Sequence, residues 1–221
     1  MTDYSQALPR LVVLDMDSTF IQQEVIDLLA LHAGVGEQVA AITEKSMRGE
    51  IDFRESLTDR VSLLKGLHIS IFERVRSEIS LSIGAKKMVD SLHAAGHTVA
   101  VVSGGFANVI APILEGAQVD YFQANILEVE SEFLTGNTVG PIIDRVAKAL
   151  YLQKLAAQLS IPLDRTVAIG DGANDLGMME IAGLSIAFNA KPIVRAAAMA
   201  TITNGDLFGV IQIMEEHFST D

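Results

Sequence analysis

Short apolar runs that end in polar or glycine residues divide the chain into segments. Leu11–Leu14 runs directly into Asp15, and His97–Val102 and Thr166–Ile169 end at turn residues in the same way. An apolar run of this length, closed by a turn, is typical of a strand buried on both faces of a parallel sheet. Leu184–Phe188 has the same character. The pattern therefore predicts buried strands at these four places.

Segments with helical periodicity alternate with strands beyond residue 80. A further strand is predicted at Tyr121–Leu127, and Glu130–Val139, with Gly136-Asn137 in it, indicates a hairpin or an extended loop. Strands that alternate with helices imply a parallel sheet with right-handed crossovers. The predicted fold class is therefore α/β, with a Rossmann-like parallel sheet as its core. The predicted helices are Lys86–Ala95, Ala107–Leu114, Ile143–Leu159, Met178–Ala182, Val194–Ala198 and Leu207–His217.

Four short helices are predicted between the first strand and residue 80. Gly34 and Gly36 are expected to end the first of them, and Asp52 and Ser70 to cap the third and fourth. This stretch carries little strand signal, so it predicts a helical lobe inserted after the first strand.

The predicted domain organisation follows from that insertion. Residues 1–20 and 81–221 form the α/β catalytic core, and residues 21–80 form a helical cap. The hinges between them are expected near Phe20–Gln22 and Ser80–Gly84.

The charge balance narrows the partners that the chain can take. It carries 28 acidic against 16 basic residues, a net charge of −12. No basic excess is available to neutralise phosphates, which argues against nucleic acid and against anionic membrane surfaces. A small anionic substrate then requires a metal ion or a few well-placed cations.

The absence of cysteine and the pattern of the N-terminus exclude further kinds of site and of protein. No cysteine is present, which excludes disulfides, zinc–thiolate sites and a cysteine nucleophile. The N-terminus lacks the pattern of a signal peptide, and no apolar run is long enough to cross a bilayer. We expect a cytoplasmic protein, either a monomer or a homodimer.

Asp15 and Asp17 follow the first strand and are the first candidates for chemistry. Ligands of open α/β sheets bind beyond the carboxyl ends of the strands, where these residues fall. Residues two apart on an extended chain point to the same side, so both carboxylates can face one pocket. Alternatively, Asp15 only ends the strand and Asp17 caps a following helix.

The other two strand ends also carry polar groups. Ser103-Gly104-Gly105 offers a hydroxyl and unhindered amides at a predicted helix start, which suits a phosphate group; alternatively, Ser103 is an N-cap and the glycines form a turn. Asp171 is a hard oxygen donor at a strand end next to Asp15, and two carboxylates are sufficient for Mg²⁺. Alternatively, Asp171-Gly172 is only a strand-exit turn.

Taken together, these segments resemble the haloacid dehalogenase-like phosphohydrolases. Their four motifs match DMDST at 15–19, SGG at 103–105, a lysine at Lys148 and GDGAND at 170–175. DMDSTFIQQEVIDLLA and FRESLTDRVSLLKGL further resemble the phosphoserine phosphatases within that family.

The resemblance implies a set of roles. Asp15 is the nucleophile that forms an aspartyl-phosphate, and Asp17 is the general acid and base. Mg²⁺ is held by Asp15, Asp171 and the backbone carbonyl of Asp17. Lys148 is a third catalytic residue. The phosphate and the remaining substrate groups are bound by Ser103, Gly104, Lys148, Asn174, Glu24 and Arg60.

The implied reaction is hydrolysis of the small molecule O-phospho-L-serine, the last step of serine biosynthesis. Two alternatives stay open: a related Mg²⁺-dependent phosphatase or phosphotransferase for another small phosphorylated metabolite, and a phospho-aspartate signalling switch. A switch has no use for an aspartate placed like Asp17 and needs no helical insertion.

Some positions depart from the family pattern. Lys148 is selected by its spacing before Asp171, and Arg145 and Lys154 are rival candidates. The acidic stretch Glu128–Glu132 is also unusual. None of the five histidines has the spacing of a metal ligand or a catalytic base, and we assign none of them a role.

Overall fold

A computed structural model describes residues 8–48 and 50–219. The signal-peptide prediction depends largely on residues 1–7, which lie outside this range. Within the described residues, seven strands form one sheet in the order β4-β3-β2-β1-β5-β6-β7. The strands are β1 (Leu11–Leu14), β2 (Thr98–Phe106), β3 (Tyr121–Glu130), β4 (Phe133–Val139), β5 (Thr166–Gly170), β6 (Leu184–Phe188) and β7 (Ala200–Ile202).

The centre of the sheet is the strand that the apolar pattern identified first. β1 pairs in parallel with both β2 and β5, with Leu11 opposite Thr98 and Thr166. All four residues of β1 are fully buried, because both faces of the sheet are covered by helices. The predicted α/β fold with a parallel sheet is confirmed.

The two faces of β1 pack against different helices. The Val12 and Leu14 side contacts the apolar faces of α5, α6 and α10, and the Leu11 and Val13 side contacts those of α7, α8 and α9. No described helix has the length and hydrophobicity to span a membrane. The helices are α1 (Val25–Ala33), α2 (Gly36–Met47), α3 (Phe53–Ser62), α4 (Ile71–Glu78), α5 (Ala85–Ala94), α6 (Ala107–Gly116), α7 (Arg145–Gln158), α8 (Leu176–Ile181), α9 (Pro192–Ala197) and α10 (Gly209–His217).

Helices α1 to α4 form the predicted insertion between β1 and β2. Asp52 caps α3 as expected, accepting a hydrogen bond from the Glu55 N–H at 2.9 Å. The prediction for Gly36 was wrong, because α1 ends at Gly34 and Gly36 begins α2. Ser70 occupies the N-cap position of α4 as predicted, but its hydroxyl bonds to the His68 ring at 3.0 Å and makes no capping hydrogen bond.

The two chain segments that connect these helices to the sheet pair with each other. The Gln22 N–H donates to the Ser80 carbonyl at 3.0 Å, and the Ser82 N–H donates to the Phe20 carbonyl at 2.9 Å. The Ser82 hydroxyl also donates to the Thr19 carbonyl at 2.6 Å. The connection at the predicted hinge positions is therefore a short two-stranded link.

The segment predicted as a hairpin or loop is a hairpin. β3 and β4 are antiparallel, and the chain reverses at Ser131 and Glu132, which have φ of 50° and 69°. Gly136 lies inside β4 and not in the turn. β4 is therefore the antiparallel edge of an otherwise parallel sheet, whereas the three-residue edge strand β7 was not predicted.

Candidate active site

The carboxyl ends of β1, β2 and β5 meet beneath helices α1 and α3. Between them lies a cavity of about 140 Å³, in which the sheet supplies carboxylates and glycines and the helices supply apolar and charged side chains. It is lined by Asp15, Asp17, Glu24, Ile26, Phe53, Leu57, Arg60, Gly104, Gly105, Phe106, Asp171, Gly172, Asn174 and Lys191.

A buried ion-pair network forms the floor of this cavity. The Lys148 Nζ donates to Asp15 Oδ1 at 2.5 Å and to Asp175 Oδ1 at 2.7 Å. The side chains of Lys148 and Asp175 are fully buried, and that of Asp15 is 7% exposed. Helix α7 thus brings an ammonium group to the end of β1.

Asp175 completes this network. In the sequence it lies in the GDGAND motif, and no role was predicted for it. Its Oδ2 accepts the Gly172 N–H at 3.0 Å, so both of its oxygens are engaged. A Cβ at position 170 would lie 2.4 Å from the Asp175 carboxylate, so only glycine fits there. Gly170, five residues before Asp175, is the sequence feature that could have indicated this close approach.

Asp17 combines the two interpretations that the sequence left open. Its Oδ1 accepts the N–H of Val25, the first residue of α1, at 3.0 Å. Its Oδ2 lies 3.5 Å from the Ser103 Oγ, and a Cβ at position 105 would come within 2.6 Å of it. One oxygen therefore anchors the helix while the other faces the cavity.

The prediction that Ser103 lies at a helix start was wrong. β2 continues through Phe106, and α6 begins only at Ala107. Within β2, Ser103 pairs with Ala124 of β3. The Ser103 Oγ accepts the Gly105 N–H at 2.8 Å. The hydroxyl therefore lies within β2, three residues before the strand ends, beside Asp17, and does not cap a helix.

Burial and mutual repulsion raise the pKa of the carboxylates in this site. Burial, followed by the charge of Glu24, raises the pKa of Asp17 to about 7. Burial and Asp175 raise the pKa of Asp171 to about 6, and the same two causes raise that of Asp15, against which Lys148 acts. Both Asp17 and Asp171 therefore titrate near neutral pH.

Lys148 is charged despite its burial. Burial alone would lower its pKa, but the carboxylates of Asp15 and Asp175 outweigh that effect and hold the pKa above its usual value.

The donor set fits a hard divalent cation. Asp15, Asp171 and Asp175 each offer a carboxylate oxygen, and these oxygens lie within 4.8 Å of one another. Both Asp175 oxygens already accept hydrogen bonds, so Asp15 and Asp171 are the two carboxylates of this set that face the cavity. Oxygen ligands in this number suit Mg²⁺, which keeps several waters and takes one or two carboxylates.

The three other predicted substrate residues also line the cavity. Glu24 accepts a hydrogen bond from the Ser18 hydroxyl at 2.7 Å, where Ser18 has a φ of 56°. Arg60 donates through Nε to the Ser56 carbonyl at 3.2 Å, and burial lowers its pKa. Asn174 lies on the opposite side, in the loop after β5.

Five lining residues were not singled out from the sequence, and one of them is Phe106 at the end of β2. Ile26, Phe53 and Leu57 face the cavity from α1 and α3, and Lys191 faces it from the loop before α9. Ile26, Phe53 and Leu57 were recognised only as apolar positions of helices, since periodicity does not distinguish a core face from a cavity wall.

The rival candidates lie elsewhere. Arg145 pairs with Glu180 at 3.6 Å on the surface, and Lys154 is exposed. Glu128 accepts hydrogen bonds from Thr135 and Asn137, away from the cavity.

Comparisons with known proteins agree with this geometry. Residues 12–180 match the family model of the haloacid dehalogenase-like hydrolases. A phosphoserine phosphatase of Streptococcus thermophilus is 51% identical over 206 residues, which cover 93% of this chain and 96% of that protein.

Two further comparisons show how the match varies in extent. A phosphoserine phosphatase of Streptomyces coelicolor is 51% identical over 193 residues, but the chain spans only 47% of its length. The solved structure of a phospho-aspartyl intermediate analogue of phosphoserine phosphatase is 42% identical, with a TM-score of 0.88 over 94% of this chain and 99% of that one.

Proposed function

The chain belongs to the haloacid dehalogenase-like hydrolases, and from this we propose that it hydrolyses O-phospho-L-serine to L-serine and phosphate through an aspartyl-phosphate. The substrate follows from the similar phosphoserine phosphatases. We propose the same place for the reaction that the resemblance implied, the last step of serine biosynthesis. The observation that carries the proposal is that one cavity joins Asp15 to both Glu24 and Arg60.

Asp15 is the nucleophile. Its carboxylate oxygen bonds to phosphorus as the bond from phosphorus to the seryl oxygen breaks, which divides one difficult displacement into two easier ones. Its contact with Lys148 orients the carboxylate and offsets its charge as an anionic substrate approaches.

Asp17 is the general acid and base. It donates a proton to the leaving seryl oxygen and later removes one from the water that attacks the aspartyl-phosphate. A pKa of about 7, raised first by burial, allows both protonation states near neutral pH. The hydrogen bond from Val25 holds the carboxylate in place for both steps.

The phosphate oxygens are bound by the strand end of β2 and by helix α7. The Ser103 hydroxyl, the Gly104 amide and the Lys148 ammonium supply the donors, and Asn174 supplies a further polar contact. These groups neutralise and orient the phosphoryl group, which is the main requirement of phosphoryl transfer.

Asp15, Asp171 and the backbone carbonyl of Asp17 would hold Mg²⁺. When bound, the ion screens the repulsion between carboxylates and phosphate and favours the ionised form of Asp15. The excess of buried carboxylates over the single Lys148 is the charge distribution that such a cation compensates.

Glu24 and Arg60 select the substrate. Their opposite charges suit the ammonium and carboxylate groups of an amino acid, which a phosphatase for other monoesters has no reason to recognise. Residues 21–80 act as a cap over the core of residues 1–20 and 81–221, and cap closure excludes water during the transfer.

A phosphate-release assay on L-phosphoserine tests the proposal. We expect turnover with Mg²⁺, its loss with a chelator, and its recovery when Mg²⁺ is restored. Slower turnover of L-phosphoserine than of a sugar phosphate would overturn the substrate assignment while leaving the phosphatase chemistry intact.

Replacement of the nucleophile tests the chemistry itself. Asp15→Asn should lower kcat by at least about 10⁴-fold, because no carboxylate remains to form the intermediate. Asp17→Asn should retain Asp15 and lower kcat by about 10²- to 10⁴-fold. A stable phospho-aspartate lasting minutes in the parent protein with Mg²⁺ would instead indicate a signalling switch.

A further inference from the structure

Arg54 and Asp144 form an ion pair between the helical insertion and the helix that carries Lys148. Arg54 lies in the first turn of α3, and Asp144 immediately precedes α7. The guanidinium Nε and Nη2 approach the same carboxylate oxygen, Oδ2, at 2.8 Å and 2.6 Å. The residues are 90 positions apart in sequence, so the pair is a tertiary contact.

The two oxygens of Asp144 have separate partners. Oδ1 accepts the Ala147 N–H at 2.9 Å and so caps α7, while Oδ2 receives Arg54. Burial would raise the pKa of Asp144, but the amide hydrogen bond and Arg54 outweigh it and hold the pKa below its usual value. The carboxylate is thus ionised throughout the neutral range.

Helix α3 also reaches the phosphate-binding strand end in the same turn. A Cβ at position 104 would lie 3.1 Å from the Phe53 Cζ, so the Phe53 ring packs directly over Gly104. The same helix carries Leu57 and Arg60 into the cavity. The position of its first turn therefore sets the position of the cavity roof.

The far end of α3 is attached by backbone hydrogen bonds. The Gly66 N–H donates to the Leu134 carbonyl at 2.8 Å, and the Leu134 N–H donates to the Leu67 carbonyl at 2.8 Å. Between this attachment and the first turn lies a groove of about 410 Å³, lined by Thr58 and Val61 of α3 and by residues of the hairpin. The helix is therefore attached to the hairpin at its C-terminal side, and Leu57 and Val61 pack into the core.

We propose that the Arg54–Asp144 pair is a latch that positions the first turn of α3 over the substrate, with Arg54 as a positioning residue for Arg60. The inference rests on the proposed function, because its effect is measured on the binding of L-phosphoserine. It assigns a role to a pair that touches neither the cavity nor the reacting atoms.

The latch acts on substrate binding rather than on the chemical step. Lys148 is fixed by Asp15 and Asp175 in a fully buried setting, so loss of Arg54 leaves it in place. The first turn of α3 contacts the core through two side chains, Phe53 on Gly104 and Arg54 on Asp144, so loss of Arg54 removes one of these two contacts. The effect should therefore appear in KM, and only for substrates that use Arg60.

The test compares Arg54→Ala with the parent protein on two substrates. We expect KM for L-phosphoserine to rise about two- to five-fold with kcat within two-fold, the range of a partly exposed ion pair. KM for O-phosphoethanolamine, which lacks the carboxylate that Arg60 binds, should change less than two-fold. Arg54→Lys should recover part of the loss.

Asp144→Asn provides the second arm, because asparagine can still cap α7 while losing the charge that Arg54 needs. Its KM effect should match that of Arg54→Ala, and the double variant should show no additional effect. Arg145→Ala, which removes the neighbouring surface guanidinium paired with Glu180, is the matched control and should leave both KM values unchanged.

Equal KM increases for both substrates, or additive effects in the double variant, would overturn the latch. If the parent hydrolyses L-phosphoserine and every variant has the same KM values as the parent, the latch is overturned and the proposed function stands. If the parent does not hydrolyse L-phosphoserine, hydrogen exchange of α3 decides the latch. Faster exchange in Arg54→Ala, but not in Arg145→Ala, supports it, and unchanged exchange overturns it.

Discussion

The floor and the roof of the same cavity are held in different ways. On the floor, Asp15, Lys148 and Asp175 are buried and joined by short ion pairs. On the roof, Arg60 donates to a carbonyl of its own helix, and Glu24 is exposed and bonded to a serine six residues away. The charged side chains of the floor are thus fixed by tertiary contacts, and the two charged side chains of the roof, Glu24 and Arg60, by local ones.

This difference separates the chemistry from substrate selection. A buried charge network tolerates no missing partner, since each remaining charge is then left without compensation in a medium of low dielectric. Half-exposed charges on helices have water as an alternative partner, so their loss costs binding rather than folding. The proposed reaction therefore depends on the rigid part, and the choice of substrate depends on the adjustable part.

Loss of the buried cation should have the largest effect. Lys148→Met leaves Asp15 and Asp175 buried without their counter-ion, which should lower the free energy of unfolding by about 3 to 5 kcal/mol at pH 8 and abolish turnover. The loss should shrink at pH 5, because a carboxylate can then take up a proton. Urea unfolding midpoints at the two pH values measure it.

Lys154→Met is the matched control, since Lys154 is exposed on the same helix. Its free energy of unfolding should stay within about 0.5 kcal/mol of the parent value. A Lys148→Met protein as stable as this control at pH 8 would show that the floor is not held by charge.

Loss of Arg60, the cation of the cavity roof, should weaken substrate binding and leave folding nearly unchanged. Arg60→Ala removes the charged hydrogen-bond donor for the substrate carboxylate, worth about 1.5 to 3 kcal/mol, so KM for L-phosphoserine should rise about 10- to 150-fold. The free energy of unfolding should change by less than about 1 kcal/mol. Steady-state kinetics and urea unfolding of the same preparation measure both quantities.

O-phosphoethanolamine is the control substrate for this variant, because it lacks the carboxylate. Its KM should be nearly the same for Arg60→Ala and for the parent. A comparable rise for both substrates would mean that Arg60 supports the roof rather than reads the substrate.

The same contrast explains how much could be predicted from the sequence. The four-residue apolar run of β1 and the polar residue after it are local features, so the sheet edge and the place of Asp15 could be predicted. Lys148 could be selected only by its spacing from a motif, yet the structure brings its ammonium group to Asp15.

What could not be predicted depends on pairings across the chain. Ser103 resembles an N-cap in sequence, but pairing with Ala124 extends β2 past it. The role of Asp175 depends on Lys148, 27 residues earlier, and that of Arg54 depends on Asp144, 90 residues later. Neither pair has a periodicity that marks it, because the partners lie on different elements.

The smallest expected effect concerns Asp17 and Asp171, two carboxylates that line the cavity outside the Lys148 network. In the metal-free protein, the pKa of Asp17 is about 7 and that of Asp171 about 6, both raised first by burial. A carboxylate whose pKa is raised on folding binds more protons in the folded state, so its contribution to stability falls as the pH rises from about 4 to 7. Bound Mg²⁺ would displace those protons, and its affinity should therefore increase over the same range.

The measurable consequence is that Mg²⁺ raises Tm more at pH 7.5 than at pH 5.5, by about 2 to 6 °C. Burial lowers the pKa of His97 to about 4, which favours stability at higher pH, but His97 lies outside the cavity and contributes equally with and without Mg²⁺. The difference between the two Tm values at each pH therefore isolates the carboxylates. Asp171→Asn should remove most of the Mg²⁺ response at both pH values. A parent response that is equal at the two pH values would mean that Asp17 and Asp171 are already ionised without the cation.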